Sequence, residues 1–216
     1  MGLERIRDLF ARTRSENRAA FLPFLTAGLP DPASSPALFR ALAEGGADGF
    51  EVGIPYSDPL MDGPVIQAGS EAALAAGADL DTCLGVLGEI TVTTGLPSLA
   101  MTYANPVFRR GVDRFLASIA ERGVDGVIVP DLPLEESEPV REAARRHGLG
   151  VVLFVAPTSG RARVEAVAAA EPAFIYGVAD LGVTGERSTI SEHAESLASL
   201  VRSVTDVPLV LGVGIS

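Results

Sequence analysis

The stretch Gly46-Ala-Asp-Gly-Phe-Glu-Val-Gly-Ile54 carries a Gly-x-Asp-Gly joint that leads into a run of mostly apolar residues. The same joint returns as Gly123-Val-Asp-Gly126, again directly before a β-type run. Short, nearly continuous apolar runs are typical of strands that are buried on both faces of a parallel sheet. The repeat therefore indicates a chain built from similar βα units.

Around this stretch, β-type runs alternate with helical segments, which is the pattern of a parallel sheet with right-handed helical crossovers. Seven strands are predicted, at Phe21–Leu25, Gly49–Ile54, Pro97–Tyr103, Gly126–Val129, Val151–Val155, Phe174–Val178 and Pro208–Val213. Helices are predicted between them, several with a glycine just past the end, at Pro36–Glu44, Val112–Arg122, Ser137–Arg146, Arg161–Ala170 and Ser191–Val204.

The turn after the first strand distinguishes two α/β folds. It contains Gly28 and Pro30 but lacks the G-x-G-x-x-G fingerprint of a doubly wound dinucleotide fold. Together with the repeated joint, this favours a (β/α)8 TIM barrel, in which Leu3–Arg14 is an extra N-terminal helix. We expect residues 1–216 to form a single domain and the C-terminal eighth βα unit to be missing from this chain, because the sequence stops just past the seventh strand.

Composition excludes several classes of function. The net charge of −11 argues against nucleic acid and anionic membrane surfaces as partners. There is no signal-peptide pattern and no apolar run approaching a membrane span, so we expect a cytoplasmic protein. All 17 basic side chains are arginine, and the absence of lysine excludes a Schiff-base aldolase, a pyridoxal phosphate enzyme and a Walker-type phosphate loop.

Few other side chains offer chemistry. His147 ends a predicted helix and His193 lies in a polar stretch, so we predict a structural and not a catalytic role for both. The single Cys83 lies in an amphipathic segment, Asp79–Ile90, without a Cys or His neighbour at metal-ligand spacing, and we expect it in the core and predict no metal site. Carboxylates and tyrosines remain as the acid–base groups.

Two carboxylates stand out because their predicted environments differ. Glu51 lies inside a predicted buried strand, where an ionised side chain is costly. Asp62 follows in a loop rich in proline and glycine, Pro55–Pro64, from which it can reach back over the end of that strand. One buried and one more solvent-exposed carboxylate form the pattern in which one group acts as the acid and the other as the base near neutral pH.

Other candidate groups follow the predicted strands. In a barrel, reacting groups lie at the carboxyl ends of strands and in the loops after them. Tyr103, Asp131 and Tyr176 all lie within or just past a strand. Glycine-rich turns around Gly185 and Gly214 offer main-chain N–H groups, which can bind a phosphate ester without a lysine.

The chain resembles the tryptophan synthase alpha subunit family from Phe21-Leu-Pro-Phe-Leu-Thr-Ala-Gly28 to Gly212-Val-Gly-Ile-Ser216, and the segment Glu51–Gln67 matches the family signature almost residue by residue. The resemblance implies cleavage of indole-3-glycerol phosphate to indole and glyceraldehyde 3-phosphate, with indole passed to a beta subunit. It also implies an alpha-beta-beta-alpha assembly, with no cofactor in this subunit and pyridoxal phosphate only in the beta partner.

The resemblance further implies roles for individual residues. Glu51 matches the proton-shuttling glutamate, Asp62 the second catalytic aspartate and Tyr176 the active-site tyrosine. The substrate-binding positions implied are Phe24, Tyr103 and Ile128 around indole, with Thr184, Gly185 and Gly214 in the loops that close over substrate or bind its phosphate. The positions implied at the interface with the beta subunit are Pro55, Asp58, Asn105 and Phe108.

Two features leave alternatives open. The eighth βα unit normally completes the phosphate site, so we expect weak phosphate binding and little activity from the 216 residues alone. Ala179-Asp-Leu181 also departs from the family pattern before Gly182-Val-Thr-Gly185. The chain could therefore be a free-standing lyase that releases indole, or a non-catalytic barrel that activates a beta-subunit partner.

Overall fold

The computed structural model of the chain describes residues 2–178 and 192–212. The helices are α1 Gly2–Ser15, α2 Ser35–Glu44, α3 Pro64–Ala75, α4 Leu80–Thr94, α5 Ala104–Arg110, α6 Val112–Ala120, α7 Glu138–Arg146, α8 Arg161–Ala169 and α9 Glu192–Arg202. The strands are β1 Phe24–Thr26, β2 Phe50–Gly53, β3 Ser98–Met101, β4 Gly126–Ile128, β5 Gly150–Val155, β6 Ile175–Val178 and β7 Leu209–Gly212.

The seven strands form one parallel sheet in sequential order, β1 to β7. A doubly wound sheet would reverse its strand order partway, so the order confirms the predicted barrel-type α/β fold. In the described part of the chain, β1 and β7 are the edges of the sheet. That residues 1–216 form a single domain stays a prediction.

Three helices are absent from the predicted set, α3, α4 and α5, although α4 overlaps the amphipathic segment Asp79–Ile90. In α3 and α5 a proline lies in the first turn, and the predicted loop Pro55–Pro64 extends as far as the first of them. Pro64 is the first residue of α3, and Pro106 is the third residue of α5. Proline is tolerated in a first turn because the main-chain N–H groups there have no partner within the helix.

Alternation along the strands separates two apolar layers. Side chains on the inner, concave face of the sheet cluster with Ile6 of α1, and those on the outer face cluster with the surrounding helices. The inner cluster includes Leu99, Ile128, Val152 and Tyr176. Phe50 and Val52 belong to the outer cluster, so Glu51 between them points to the inside of the curved sheet.

Helix α1 covers the amino ends of the strands. Its Ile6 and Leu9 are 1% and 4% exposed. The strands leave room for it with glycines: a Cβ on Gly126 would lie 3.1 Å from the Ile6 Cδ1 and 2.8 Å from the main-chain oxygen of Gly150. A hydrogen bond of 3.0 Å from the Leu3 N–H to the Gly148 carbonyl anchors the start of the helix.

The first Gly-x-Asp-Gly joint binds α1 and the following segment through Asp48, which is 3% exposed. Arg12 of α1 donates to its Oδ1 at 2.8 Å, Arg18 donates to its Oδ2 at 2.6 Å, and the Phe21 N–H donates at 2.9 Å. The hydrogen bond from Arg18 lowers the pKa of Asp48 to about 2. This aspartate therefore stays ionised and holds the chain entering β1 against the helix.

The second joint uses Asp125 in the same way. It is 1% exposed, accepts a hydrogen bond of 2.9 Å from the Ser98 N–H at the start of β3, and lies 3.1 Å from Arg5 of α1. Burial raises the pKa of Asp125, which these partners only partly offset. The two copies of the joint are thus two attachment points for one helix.

Two further observations concern the described residues alone. Cys83 is buried with a free thiol, as predicted, and burial raises its pKa to about 12. Over residues 2–178 and 192–212, no helix combines the length and the apolarity that a membrane span requires.

We predict that Gly126→Ala lowers the free energy of unfolding by about 2 kcal/mol, because the new methyl group meets a main-chain oxygen that cannot move aside. The matched control is Gly85→Ala in α4, where a Cβ meets nothing within 4 Å and the better helix former should stabilise by roughly 0.5 kcal/mol. Urea denaturation measures both. Equal stability of the two variants would contradict the close approach of Gly126 to the Gly150 carbonyl.

Candidate active site

Glu51 lies in the middle of β2 and is 3% exposed. It pairs in register with Phe24 on β1 and Leu99 on β3, so neighbouring strands cover it on both sides. Among the described residues, the polar side chain that reaches it is Tyr176, whose hydroxyl donates to the Glu51 Oε2 at 3.5 Å. A carboxyl group with so little polar contact is poorly stabilised as an anion.

The protonation of this pair follows from burial. Burial raises the pKa of Glu51 to about 7, and the hydrogen bond from Tyr176 acts in the opposite direction. Burial also raises the pKa of Tyr176, and the neighbouring Glu51 charge raises it further, so the phenol keeps its proton. Near neutral pH Glu51 can therefore both give and take a proton, while Tyr176 is a fixed donor.

Gly212 at the end of β7 makes this contact possible. A Cβ at this position would overlap the Tyr176 hydroxyl. The glycine is thus required by the close approach of the tyrosine. It places the end of β7 directly behind the Tyr176–Glu51 pair.

The Phe24 ring stands just beyond Glu51 on the same face of β2. A Cβ on Gly53 would lie 2.6 Å from the Phe24 Cζ and 2.8 Å from its Cε2, so the ring lies directly over this glycine. Because residues two apart on a strand share a face, the ring lies over the position next to Glu51 towards the carboxyl end of the strand. A ligand approaching Glu51 from that end would contact Phe24.

Asp62 lies in the loop of residues 54–63, between β2 and α3, and is half-buried. Burial raises the pKa of Asp62, and an interaction with the Tyr103 hydroxyl lowers it. The loop and the ends of the first three strands enclose one cleft. Its lining residues are Phe24, Thr26, Gly53, Ile54, Tyr56, Asp62, Ile66, Ser70, Met101, Thr102, Tyr103 and Pro130.

The cleft brings together Phe24, Asp62 and Tyr103 of the predicted site. Ile128 and Tyr176 lie in the inner apolar cluster instead. Thr184, Gly185 and Gly214, predicted to contact substrate, lie outside the described residues. The candidate site thus has two parts, a buried Glu51–Tyr176 pair and a cleft that contains Asp62.

Two contacts at this site were not predicted. The Tyr103 hydroxyl accepts a hydrogen bond of 3.0 Å from the Met61 N–H, and the Gln67 side-chain amide donates to the Asp62 carbonyl at 2.7 Å. Gln67 closes the signature stretch, but its role depends on α3, which was not predicted. The start of α3 at Pro64 was the signal that could have placed Gln67 beside Asp62.

The predicted partner positions lie around the loop and α5. Asp58, Asn105 and Phe108 are exposed, and Phe108 is 48% exposed. Pro55 is buried in this structure of the single chain. Three apolar side chains of the same region are also exposed, namely Leu60 at 89%, Met61 at 62% and Val65 at 75%. Exposed apolar groups of this kind mark protein contact surfaces.

A metal site was not predicted. Within the part of the chain that the structure describes, no cluster of three or more His, Cys, Asp or Glu side chains could hold a metal ion.

Comparison with known proteins adds to this geometry. A family model described as tryptophan synthase alpha chain matches residues 10–216. The tryptophan synthase alpha chain of Acaryochloris marina is 46% identical over 211 residues, which cover 98% of this chain and 79% of that protein. The protein of the same name from Streptomyces avermitilis is 43% identical over 209 residues, 97% of this chain and 76% of that protein.

Solved structures agree with these relatives. The structure of Mycobacterium tuberculosis tryptophan synthase superposes with a TM-score of 0.91 at 40% identity, covering 97% of this chain and 80% of that chain. A chain from the tryptophan synthase α2β2 complex of Pyrococcus furiosus gives a TM-score of 0.84 at 34% identity, covering 91% of this chain and 79% of that chain.

We predict that Tyr176→Phe raises the pKa of Glu51 above 7, because the hydrogen bond that stabilises its anion is lost while burial is unchanged. Gly212→Ala should have the same effect by pushing the hydroxyl away. Carbon-13 NMR titration of the glutamate carboxyl groups measures the shift. An unchanged Glu51 pKa in both variants would contradict the contact.

Proposed function

The chain belongs to the tryptophan synthase alpha chain family and serves as an alpha subunit in tryptophan biosynthesis, and we propose that it is the lyase that cleaves indole-3-glycerol phosphate to indole and glyceraldehyde 3-phosphate. The observation that carries the proposal is the buried Glu51, whose pKa is raised to about 7. A carboxyl group with this pKa suits a reaction that needs one proton given and one taken.

The cleavage breaks the bond between indole C3 and the adjacent carbinol carbon. Glu51, protonated, gives its proton to C3, and the ring nitrogen takes up the developing positive charge. The Glu51 carboxylate then accepts the carbinol hydroxyl proton. As the C–C bond breaks, its electron pair returns to the ring, the carbinol becomes the aldehyde, and indole leaves. Glu51 ends in the state in which it began.

Asp62 complements this proton transfer. Its carboxylate would accept a hydrogen bond from the indole N–H, which becomes more acidic as the ring gains positive charge. The hydrogen bond therefore strengthens towards the transition state, which lowers the barrier and does more than tighten binding. Tyr176 holds Glu51 in place and remains protonated. Phe24 and Tyr103 would bind the indole ring in the cleft.

We propose further that the chain docks on a beta subunit through the surface around Asp58, Asn105 and Phe108. The exposed apolar groups Leu60 and Met61 in the same loop support this surface. In this assembly, pyridoxal phosphate belongs to the beta subunit, and this chain works without a cofactor of its own. The cytoplasmic location expected from the sequence is part of the proposal.

Indole release from indole-3-glycerol phosphate, measured without and with a beta subunit, tests the function. We expect turnover that the beta subunit stimulates. Equal turnover without it would favour a free-standing lyase. Activation of the beta subunit with no cleavage would favour the non-catalytic barrel and overturn the proposal.

We predict that Glu51→Gln lowers kcat roughly 10²- to 10⁴-fold, because the amide can neither give nor take the proton. The replacement is nearly isosteric and removes a buried titratable group, so the fold should survive. Glu44→Gln, at an exposed position of α2, is the matched control and should leave kcat unchanged. Turnover by Glu51→Gln at the wild-type rate would contradict the role of Glu51.

We predict a bell-shaped dependence of kcat/KM on pH. Activity should fall above a pKa of about 7 as Glu51 loses its proton, and fall at low pH as Asp62, whose pKa is raised by burial, becomes protonated. Asp62→Asn should remove the acid limb, lower kcat and leave the alkaline limb in place. An alkaline limb that moves with Asp62→Asn would contradict this assignment.

A further inference from the structure

Asp62 must hold its carboxylate in place, although it lies on a loop and not on a strand. Neighbouring side chains do not bury the tip of this loop, because Leu60 is 89% exposed and Met61 is 62% exposed. Apolar packing therefore contributes little to its position. The loop must be held by hydrogen bonds, since a catalytic group that is misplaced by about 1 Å can cost on the order of a hundredfold in rate.

The hydrogen bonds around Asp62 involve three successive peptide groups. The Met61 N–H donates to the Tyr103 hydroxyl at 3.0 Å. The Asp62 N–H donates to the Pro59 carbonyl at 3.1 Å, which closes a tight turn. The Asp62 carbonyl accepts the Gln67 side-chain amide at 2.7 Å. The backbone is thus bound on both sides of the Asp62 side chain.

Tyr103, the first of these partners, is itself held in a fixed position. Tyr103 is 6% exposed and caps the amino end of α5, whose Ala104 N–H donates to Asp131 at 2.8 Å. Its ring packs against Tyr56 with centroids 5.5 Å apart. Burial raises the pKa of Tyr103, so its hydroxyl keeps a proton that it can share with Asp62 while it accepts from Met61.

Gln67 is equally well placed. It lies in the first turn of α3, and its N–H donates to the Gly63 carbonyl at 2.9 Å. Pro64, the residue after Gly63, is the first residue of α3 and fixes where the helix starts. The Gln67 side chain therefore reaches back to the Asp62 carbonyl from a helix whose start is defined.

We propose that Tyr103 and Gln67 are positioning residues, which clamp the backbone on either side of Asp62 and so fix its carboxylate for the cleavage reaction. This role of Tyr103 is distinct from contact with the indole ring. The inference rests on the proposed function, because it assigns the clamp to that reaction.

The test compares Tyr103→Phe and Gln67→Met in the presence of a beta subunit. Tyr103→Phe removes both interactions of the hydroxyl, with the Met61 N–H and with Asp62, and Gln67→Met removes the one hydrogen bond of the amide; each variant keeps most of the side-chain volume. We expect kcat to fall between about tenfold and a hundredfold with KM changed less than about twofold. Glu71→Met, which puts the same residue at an exposed position of α3, is the control and should keep the wild-type kcat.

The pH profile separates the two clamps. Tyr103→Phe removes an interaction that lowers the pKa of Asp62, so the acid limb of kcat/KM should move to higher pH. Gln67→Met touches the main chain only and should leave that limb in place. Neither variant should move the alkaline limb of Glu51. A shift of both limbs in either variant would indicate general disruption of the site and overturn the proposal.

A double-mutant cycle with Asp62→Asn tests whether the clamps act through the Asp62 carboxylate. If the clamps act through Asp62, adding Tyr103→Phe to Asp62→Asn should cause little further loss in single-turnover cleavage. A full additional loss would mean that the Tyr103 hydroxyl acts on the substrate without Asp62, and would overturn its role as a positioning group.

Chymotrypsin digestion gives a readout without catalysis. Cleavage after Leu60 or Met61 should be severalfold faster in both clamp variants and unchanged in Glu71→Met, and equal cleavage rates would overturn the clamp. If the wild-type protein releases no indole, the proposed function fails whatever the digestion shows. If it is active and both variants keep its kcat, only the clamp fails.

Discussion

The hydrogen bond between Tyr176 and Glu51 joins β6 to β2 across the inside of the curved sheet. It requires that strands far apart in the sheet order face one another, which only a strongly curled sheet allows. It also requires Gly212 behind the tyrosine, because any Cβ there would fill the space of the hydroxyl. The curvature of the sheet and the glycine at position 212 both allow this one close contact, whereas burial raises the pKa of the glutamate.

Three buried carboxylates in or next to the strands differ in their polar partners. Asp48 and Asp125, at the amino ends of β2 and β4, each have an arginine of α1 and a main-chain N–H as partners. Glu51, the second residue of β2, has the Tyr176 phenol as its polar side-chain partner among the described residues. Arginine holds the pKa of Asp48 at about 2, whereas burial raises that of Glu51 to about 7. The two carboxylates that pair with arginine attach α1 to the sheet. Glu51, which has no arginine partner among the described residues, is available for proton transfer.

The sequence was informative where a residue's role depends on its own strand. The repeated joint predicted the βα units, and the apolar run around Glu51 predicted that its side chain is buried. Both signals lie within a few residues of the feature that they predict. The clamp could not be predicted, since Tyr103 and Gln67 reach Asp62 only through α5 and α3, which were not predicted, and Pro64 at the start of α3 was part of a predicted loop. The Tyr176 contact with Glu51 spans 125 positions of the chain and leaves no local trace.

The attachment of α1 has a consequence for the order in which the chain matures during synthesis. The helix leaves the ribosome before the strands that it covers, and its partners Asp48, Asp125 and Gly148 emerge after it. Because domains form as their parts become available, the apolar side of α1, with Ile6 and Leu9, is not fully covered until the fifth strand has been made. A nascent chain paused before that point exposes apolar side chains of an amphipathic helix, which makes α1 a target for chaperones.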